Sequence, residues 1–526
     1  MATLTATTTT VDAPHGGPLG KTAPHIIVEA LAGTGKTFTV LEGVRHLLGC
    51  PTPGVKGTDQ QEAIWKAMRA GTKPETVIFA AFNKSIALEL QSKVPAGVQA
   101  KTLNSHGYGI LKRSGLKARF EENKTCWLLE DLLGMDIREI RKTYKGWVDP
   151  LCNLVRLCKV NLVEFTGQND EAVLETICTQ YGIDIEEGHW DRTVCMVPRL
   201  LAASKQRTDM CDFADQLWLP TVLNLNWPKA DLLVVDERQD SNRAQQELAI
   251  RSARRLVLCG DEHQAIYGFA GADLDACRRM NERLSASAIG CQIFPLTLTR
   301  RCCKAVVREA QALVPTLEAL PEAEEGEVVR TAEDGAGLNL LKAVTPNDMV
   351  ICRTNAPLVS YAMKLLRERR KAVIQGREIG KGLLNTLQEL RAESVPELIG
   401  KLDDYFQAKI ERLQRRKYST EAQVMALTDT VECLRAFCDG AGTVRDVETA
   451  IEALFSDERN GTLFSSIHRA KGLEENRVFF IHEDNCPHPM ARTDHAKAQE
   501  WNLRYVGITR AKRYLNLMRA PLKSIR

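Results

Sequence analysis

The sequence predicts an α/β protein built on two parallel sheets, each interrupted by a helical block. Three observations predict it. Residues 30–37 read ALAGTGKT, between a short apolar run at 25–28 and a segment of helical apolar rhythm, FTVLEGVRHLL; this is the strand–loop–helix order of a phosphate loop. Apolar strand-like runs then alternate with amphipathic helical segments, as in a doubly wound parallel sheet. Two long stretches, 108–222 and 383–455, break that alternation with helical spacing alone.

In order, the reading gives a disordered tail over 1–24, Thr/Gly/Pro-rich and without the apolar core of a secretory signal. A first sheet unit takes 25–107 and 223–295, with a helical insertion at 108–222. A second takes 296–382 and 456–526, with a helical insertion at 383–455. Within the first unit, DQQEAIWKAMRAG places Ile64, Trp65 and Met68 on one helix side. TVIFAAF (76–82) is a buried strand leading into the helix NKSIALELQSKV, with Asn83 near its start. Residues 100–104 make a short strand ending in the polar turn NSHG. LLVVDE (232–237) and LVLCGD (256–261) are apolar strands ending in acid, and 291–298 follows as another. The second unit has strands at 349–353, 372–375, 462–467, 478–482 and 514–518.

Composition bounds the partners. Hydrophobic residues make up 44% of 526 residues, ample for several cores. Lys+Arg number 70 against 67 Asp+Glu, so a nucleic-acid surface must be a local groove rather than a basic domain. No run of about 18 apolar residues suggests a membrane span. Sixteen cysteines without a C-x-x-C pair read as reduced, mostly buried thiols of a cytoplasmic protein, nucleoid-associated or nuclear according to the host.

The chemistry gathers at a few positions. Gly33 and Gly35 allow the tight turn that aims backbone N–H groups at phosphate oxygens, and the helix N-terminus that follows favours an anion. Lys36 reaches the outer phosphates and the Thr37 hydroxyl suits Mg²⁺. Asp236 and Glu237 end an apolar strand, placing one carboxylate beside the metal and the next beside an attacking water. These residues together predict a nucleoside triphosphatase.

Further motifs carry a resemblance. AFNKSIALEL (81–90), TLNSHGYGIL (102–111), DFADQLWLP (212–220), VVDERQD (234–240), GDEHQAIYGFAGA (260–272), LTLTRRC (296–302), ICRTNAPL (351–358), SIHRAKGLE (466–474) and WNLRYVGITRAK (501–512) follow ALAGTGKT in the order of a known set. The chain resembles superfamily 1 DNA helicases of the UvrD/Rep type and is most similar to the branch containing the F-box DNA helicases. The resemblance implies two RecA-like lobes, each with a helical insertion. ATP and Mg²⁺ would lie between the lobes, with Ala30, Leu31, Ala32, Gly33, Thr34, Gly35, Lys36 and Thr37 around the phosphates. Asp236, with Thr37, would hold the metal and Glu237 would act as general base. Gln264 would sense the γ-phosphate, Arg301 and Arg510 would stabilise its charge, and Glu474 would touch the ribose. Asn83, Tyr267, Phe269, His468 and Arg469 would contact single-stranded DNA.

The implied activity is ATP-dependent 3′-to-5′ translocation and unwinding in DNA repair, recombination or replication. It would act on single strands and duplex junctions, as a monomer or weak oligomer, alongside repair or replication proteins. The alternatives are a DNA-stimulated ATPase that strips proteins from DNA, and a non-motor ATP-dependent scaffold. Several positions depart from the family pattern. No Gln precedes Lys36 to read adenine, and Gln60 and Gln61 replace it only if the fold brings them back. Arg300 stands where an adenine-stacking aromatic is usual, and its guanidinium plane can stack on a purine. Ala270 replaces a common Arg and Asn104 a common His, and the second insertion is short.

Overall fold

The computed structural model describes residues 23–71, 73–81, 83–266, 276–332, 338–414, 421–455, 461–491 and 494–521. The expected tail up to residue 22 lies outside these described residues, as do Tyr267, Phe269 and Ala270. Packing has begun by Ala23, which is buried, and Pro24, whose carbonyl accepts the Arg255 Nε–H at 2.9 Å.

The first sheet comprises β1 (His25–Ala30), β2 (Val77–Ala81), β3 (Gln99–Thr102), β4 (Ala230–Val235), β5 (Ala253–Gly260) and β6 (Cys291–Leu296). Their order is β3-β2-β4-β5-β1-β6 and every pairing is parallel. Apolar clusters on both faces, one around Val28, Val40 and Phe79 and one around Ile27, Leu233 and Leu248, bury the inner strands. That is why these strands read as continuous apolar runs rather than alternating ones. Parallel pairing brings the ends of β1, β4 and β5 to one edge, which is where such sheets bind ligands.

The second sheet comprises β7 (Glu327–Ala332), β8 (Met349–Cys352), β9 (Ala372–Ile374), β10 (Thr462–Ser466), β11 (Glu475–Ile481) and β12 (Ala511–Arg519). It is again all parallel, in the order β7-β12-β11-β8-β10-β9. The edge strand β7 went unread because its half-exposed EVVRTA carries charge among its valines. The chain between the sheets also differs from the expected strand over 291–298. β6 stops at Leu296, and Leu298–Thr299 pairs instead with Glu318–Ala319.

Other expectations need correction. NSHG is not a turn: Asn104–Gly107 lies inside the helix Leu103–Arg113, which Thr102 caps by accepting the Ser105 N–H at 3.1 Å. Gly107 is there for proximity, since a Cβ on it would lie 1.9 Å from the Gln216 carbonyl oxygen. The residue 107/108 boundary therefore falls within one continuous helix. The first insertion is also not purely helical, because Arg119–Phe120 pairs with Met210–Cys211. In the second lobe the helix Arg377–Leu390 starts before residue 383. Leu387, Leu402 and Phe437 of that helical block share one apolar core with Val350, Ile374 and Phe464 of the sheet. It packs on the sheet face, and Phe455 makes a single bridge to Ile374.

The first insertion has its own core, around Leu128, Leu154, Leu200 and Trp218, and a buried ionic cluster. Lys124 Nζ lies 2.7 Å from Asp215 Oδ2, and Lys159 Nζ lies 2.8 Å from Asp215 Oδ1 and 2.7 Å from Asp212 Oδ2. The side chains of Lys124, Lys159 and Asp215 are wholly buried. Asp215→Ala leaves Lys124 with only the Ser204 carbonyl at 3.0 Å. Breaking a buried pair by removing one partner costs about 3–5 kcal/mol. A loss of that size is expected in denaturant unfolding of Asp215→Ala; an unchanged midpoint would contradict a structural role for the cluster.

Candidate active site

The phosphate loop leaves β1 at Ala30 and enters the helix Lys36–Leu48. Gly33 and Gly35 take φ values of 71° and 80°, the left-handed region that glycine adopts without strain. Gly33 has a second reason: a Cβ would lie 2.5 Å from Thr299 Oγ1 and 2.6 Å from the Arg301 Cβ. The Gly33 carbonyl accepts the Arg300 N–H at 2.8 Å, and the Thr34 hydroxyl donates to the Leu31 carbonyl at 2.9 Å. Leu31 and Ala32 pack in one apolar cluster with second-lobe residues such as Ile467 and Tyr505. No side chain caps the helix at Gly35, so its first N–H groups face the cleft without a capping acceptor, the arrangement that binds phosphate.

Lys36, Thr37, Asp236 and Glu237 meet here. Thr37 Oγ1 donates to Asp236 Oδ2 at 2.5 Å, and Lys36 Nζ lies 3.3 Å from Glu237 Oε2. Burial and the adjacent Glu237 push the Asp236 carboxyl up to about 6, against the pull of Thr37 and Lys36. Burial opposes charge on Glu237 too, but Lys36, Lys471 and Gln239 hold its carboxyl at about 2. Burial likewise disfavours the Lys36 charge, yet Glu237, Asp261 and Asp236 outweigh it and raise that pKa. Glu237 sits at φ 52°, a strained backbone for a non-glycine residue, as is common where a site over-determines geometry.

The hydroxyl of Thr37 and the carboxylate of Asp236 are hard oxygen donors beside a phosphate-binding loop, and they fit Mg²⁺. No cluster of three or more His, Cys, Asp or Glu suited to a metal occurs among the described residues. Mg²⁺ in such sites takes one or two protein oxygens, with phosphate and water completing the shell, so a three-carboxylate cage is not required.

The second lobe closes the cleft, whose volume is about 640 Å³. Arg300, Arg301, Glu474 and Arg510 all line it, opposite Lys36, Glu237 and Gln264. Arg301 pairs with Glu474, which also meets Lys512 at 2.9 Å. Arg510 is buried and donates to the carbonyls of Val506 at 2.9 Å and Leu473 at 3.0 Å, and to Thr509 Oγ1 at 3.2 Å. All three acceptors are neutral. Burial, and then Arg301, push the Arg510 pKa down to about 9, which is the situation of a cation facing an anion site. The Gln264 side chain donates to Asp261 Oδ2 at 2.6 Å, and the Gln264 backbone carbonyl accepts from Lys471 at 2.7 Å.

Lys471 was missed in sequence. Its ammonium grips both Asp240 oxygens, at 2.7 and 2.6 Å, across the cleft. The signal was its place in SIHRAKGLE, two residues from Arg469. Gln60 and Gln61 do return beside the loop, but with engaged side chains. Gln60 exchanges two 2.9 Å bonds with Thr297. Gln61 bonds Thr39 at 2.8 Å, the Thr58 N–H at 3.1 Å and Arg300 at 3.1 Å.

The expected DNA contacts separate. Asn83 lines the nucleotide cleft, and its Oδ1 accepts the Ile86 N–H at 2.9 Å as a helix cap. His468 is held neutral by burial, then by Arg353, with its pKa down at about 3. Arg469 is exposed and lies against Gly376. Neither lines the cleft. An aromatic pair not singled out in sequence stands on the first insertion: Phe120 and Phe213, 39% and 55% exposed, with ring centroids 4.7 Å apart. Asp212 and Asp215, flanking Phe213, are locked by Lys159 and Lys124, and Asn104 Nδ2 donates to the Phe213 carbonyl at 2.8 Å.

The UvrD/REP helicase N-terminal domain model matches residues 18–285, and the UvrD-like helicase C-terminal domain model matches residues 350–520. The chain is 24% identical over 532 residues to F-box DNA helicase protein 1 of Schizosaccharomyces pombe, covering 93% of this chain and 55% of that protein. It is 25% identical over 273 residues to ATP-dependent DNA helicase Rep of Escherichia coli, covering 47% of this chain and 35% of that protein. It thus spans only part of the length of either relative. A solved arterivirus nonstructural protein 10 (helicase) aligns at 12% identity and TM-score 0.30 over 96% of this chain and 61% of its own, too weak a likeness to bear on the fold. With both sides of the cleft matched by family models, the chain belongs to the UvrD/Rep helicase family.

Proposed function

We propose that this chain is an ATP-dependent DNA helicase that translocates 3′-to-5′ on single-stranded DNA in repair, recombination or replication. The observation that carries the ATP-driven part is the buried Arg510 guanidinium, bonded among the described residues only to neutral oxygens, facing Lys36 and Glu237 across the cleft. ATP phosphates would take the open N–H groups of the loop and draw Lys36 away from Glu237. Freed of Lys36, Glu237 becomes more basic and accepts the proton of the attacking water. Thr37 and Asp236 would hold Mg²⁺, which would neutralise charge at the phosphates. Arg301 and Arg510 meet the charge that develops on the transferred group. The 3′-to-5′ direction rests on family resemblance.

Hydrolysis removes the anion that holds the lobes together, so grip on DNA alternates with nucleotide state. The Phe120–Phe213 pair suits base stacking, which is sequence-tolerant. A second reading, displacement of proteins from DNA without unwinding, is favoured by the compact second insertion, which lies in the core of its own lobe. Strand-separation and protein-displacement assays on one preparation, with 3′- and 5′-tailed substrates, distinguish the two readings and the direction.

Glu237→Gln is expected to keep ATP binding and lose turnover about a hundredfold or more, the size of a general-base contribution; Lys36→Ala should weaken both. Turnover retained in Glu237→Gln would remove the base assignment. Phe213→Ala should weaken single-stranded DNA binding by about 1–3 kcal/mol, the worth of one base–aromatic stack. Unchanged affinity by anisotropy titration would show the pair to be packing only. Because Gln60 and Gln61 are engaged and Arg300 supplies a stacking plane rather than a base-edge reader, GTP should be used appreciably. An ATP-over-GTP preference in kcat/KM beyond about a hundredfold, which a hydrogen-bonding reader reaches easily, would overturn this.

A further inference from the structure

Two of the cleft arginines, Arg301 and Arg510, bond one small residue. Thr509 is completely buried just past the helix Asp494–Ile508. Its hydroxyl donates to the Tyr505 carbonyl at 2.9 Å, which leaves its oxygen free to accept from Arg510 Nη2 at 3.2 Å. Its carbonyl accepts from Arg301 Nη1 at 3.3 Å. The other Arg510 acceptors, Val506 O and Leu473 O, are backbone atoms that any sequence supplies. The Thr509 hydroxyl is the one side-chain acceptor in that set. One helical turn earlier, the buried Tyr505 hydroxyl accepts the Ala32 N–H of the phosphate loop at 3.1 Å.

We propose that Thr509 is a positioning residue that aims Arg510 and Arg301 into the cleft, and that Tyr505 docks this unit onto the phosphate loop. Ala32 bonds the Tyr505 hydroxyl and Thr509 bonds the Tyr505 backbone carbonyl, so Tyr505 itself links the first lobe to Thr509 and Arg510. A lobe movement that lifts Tyr505 from Ala32 withdraws the Arg510 guanidinium with it, because Arg510 directly follows the helix that carries Tyr505, and it shifts the Thr509 carbonyl that Arg301 bonds. This rests on the ATP-hydrolysis reading above, but it concerns where the arginines point rather than whether turnover occurs.

Thr509→Val keeps the branched shape and removes the hydroxyl; Thr509→Ser keeps the hydroxyl. Thr509→Val is expected to lower kcat for DNA-stimulated ATP hydrolysis about tenfold or more and to weaken binding of a nucleotide that carries a γ-phosphate, while ADP affinity changes little. Thr509→Ser should recover most of that loss. In an Arg510→Ala background Thr509→Val should add little, since both act through one group. The proposal is overturned if Val and Ser lose activity equally with a lowered Tm, or if the losses with Arg510→Ala are additive. The ratio of ATPγS to ADP affinity gives a readout independent of turnover. Thr509→Val should reduce that ratio even if the wild type hydrolyses nothing, which would fault the enzymatic reading alone. An unmoved ratio together with an unmoved kcat sinks the positioning role.

Discussion

The approach of Gly33 to the first residues of the second lobe is the contact on which the rest of the cleft depends. A side chain at Gly33 would overlap both Thr299 and Arg301. Because it has none, the chain leaving β6 passes directly over the phosphate loop, and the Gly33 carbonyl takes the Arg300 N–H. That stitch delivers Arg300 and Arg301 to the nucleotide side. It also lets Leu31 and Ala32 join the apolar cluster of the second lobe. The same glycine that permits a tight turn therefore permits the two sheets to share a site.

Charge then organises what proximity permits. The first lobe contributes Lys36 among the acids Asp236, Glu237 and Asp261, and the second contributes Arg301, Lys471 and Arg510. Lys471 answers Asp240, and Arg301 answers Glu474, which leaves Arg510 with neutral oxygens. A buried guanidinium held this way is costly without an anion and well placed with one. Nucleotide phosphate would supply that anion, and so would be as much a part of the inter-lobe packing as the apolar cluster around Tyr505.

The first insertion is stabilised by a different means and presents Phe213 to solvent. Its buried lysines hold the two aspartates of DFADQ, and the turn between them presents an aromatic ring to solvent. Exposure of Phe213 is thus a consequence of burying its neighbours. In the second lobe the helical block works the other way. It gives its apolar residues to the sheet's own core, and Asp429 caps the Asn355 and Ala356 N–H groups.

By itself, the sequence determined the local chemistry. ALAGTGKT, the acids ending β4 and the long apolar runs have short-range causes: backbone freedom, helix polarity and burial on both sheet faces. It also marked most strands of both sheets and both helical blocks. Element ends were less legible, because they turn on tertiary contacts. Helix Leu103–Arg113 absorbs NSHG, since Gly107 must lie against Gln216. Strand β7 forms only because β12 offers it an edge. Only the tertiary structure decided which charges face one another. Lys471 meets Asp240, Gln60 is taken by Thr297, and Arg301 reaches the Thr509 carbonyl beside Arg510. Such pairings join residues that are far apart in sequence, and no periodicity encodes them.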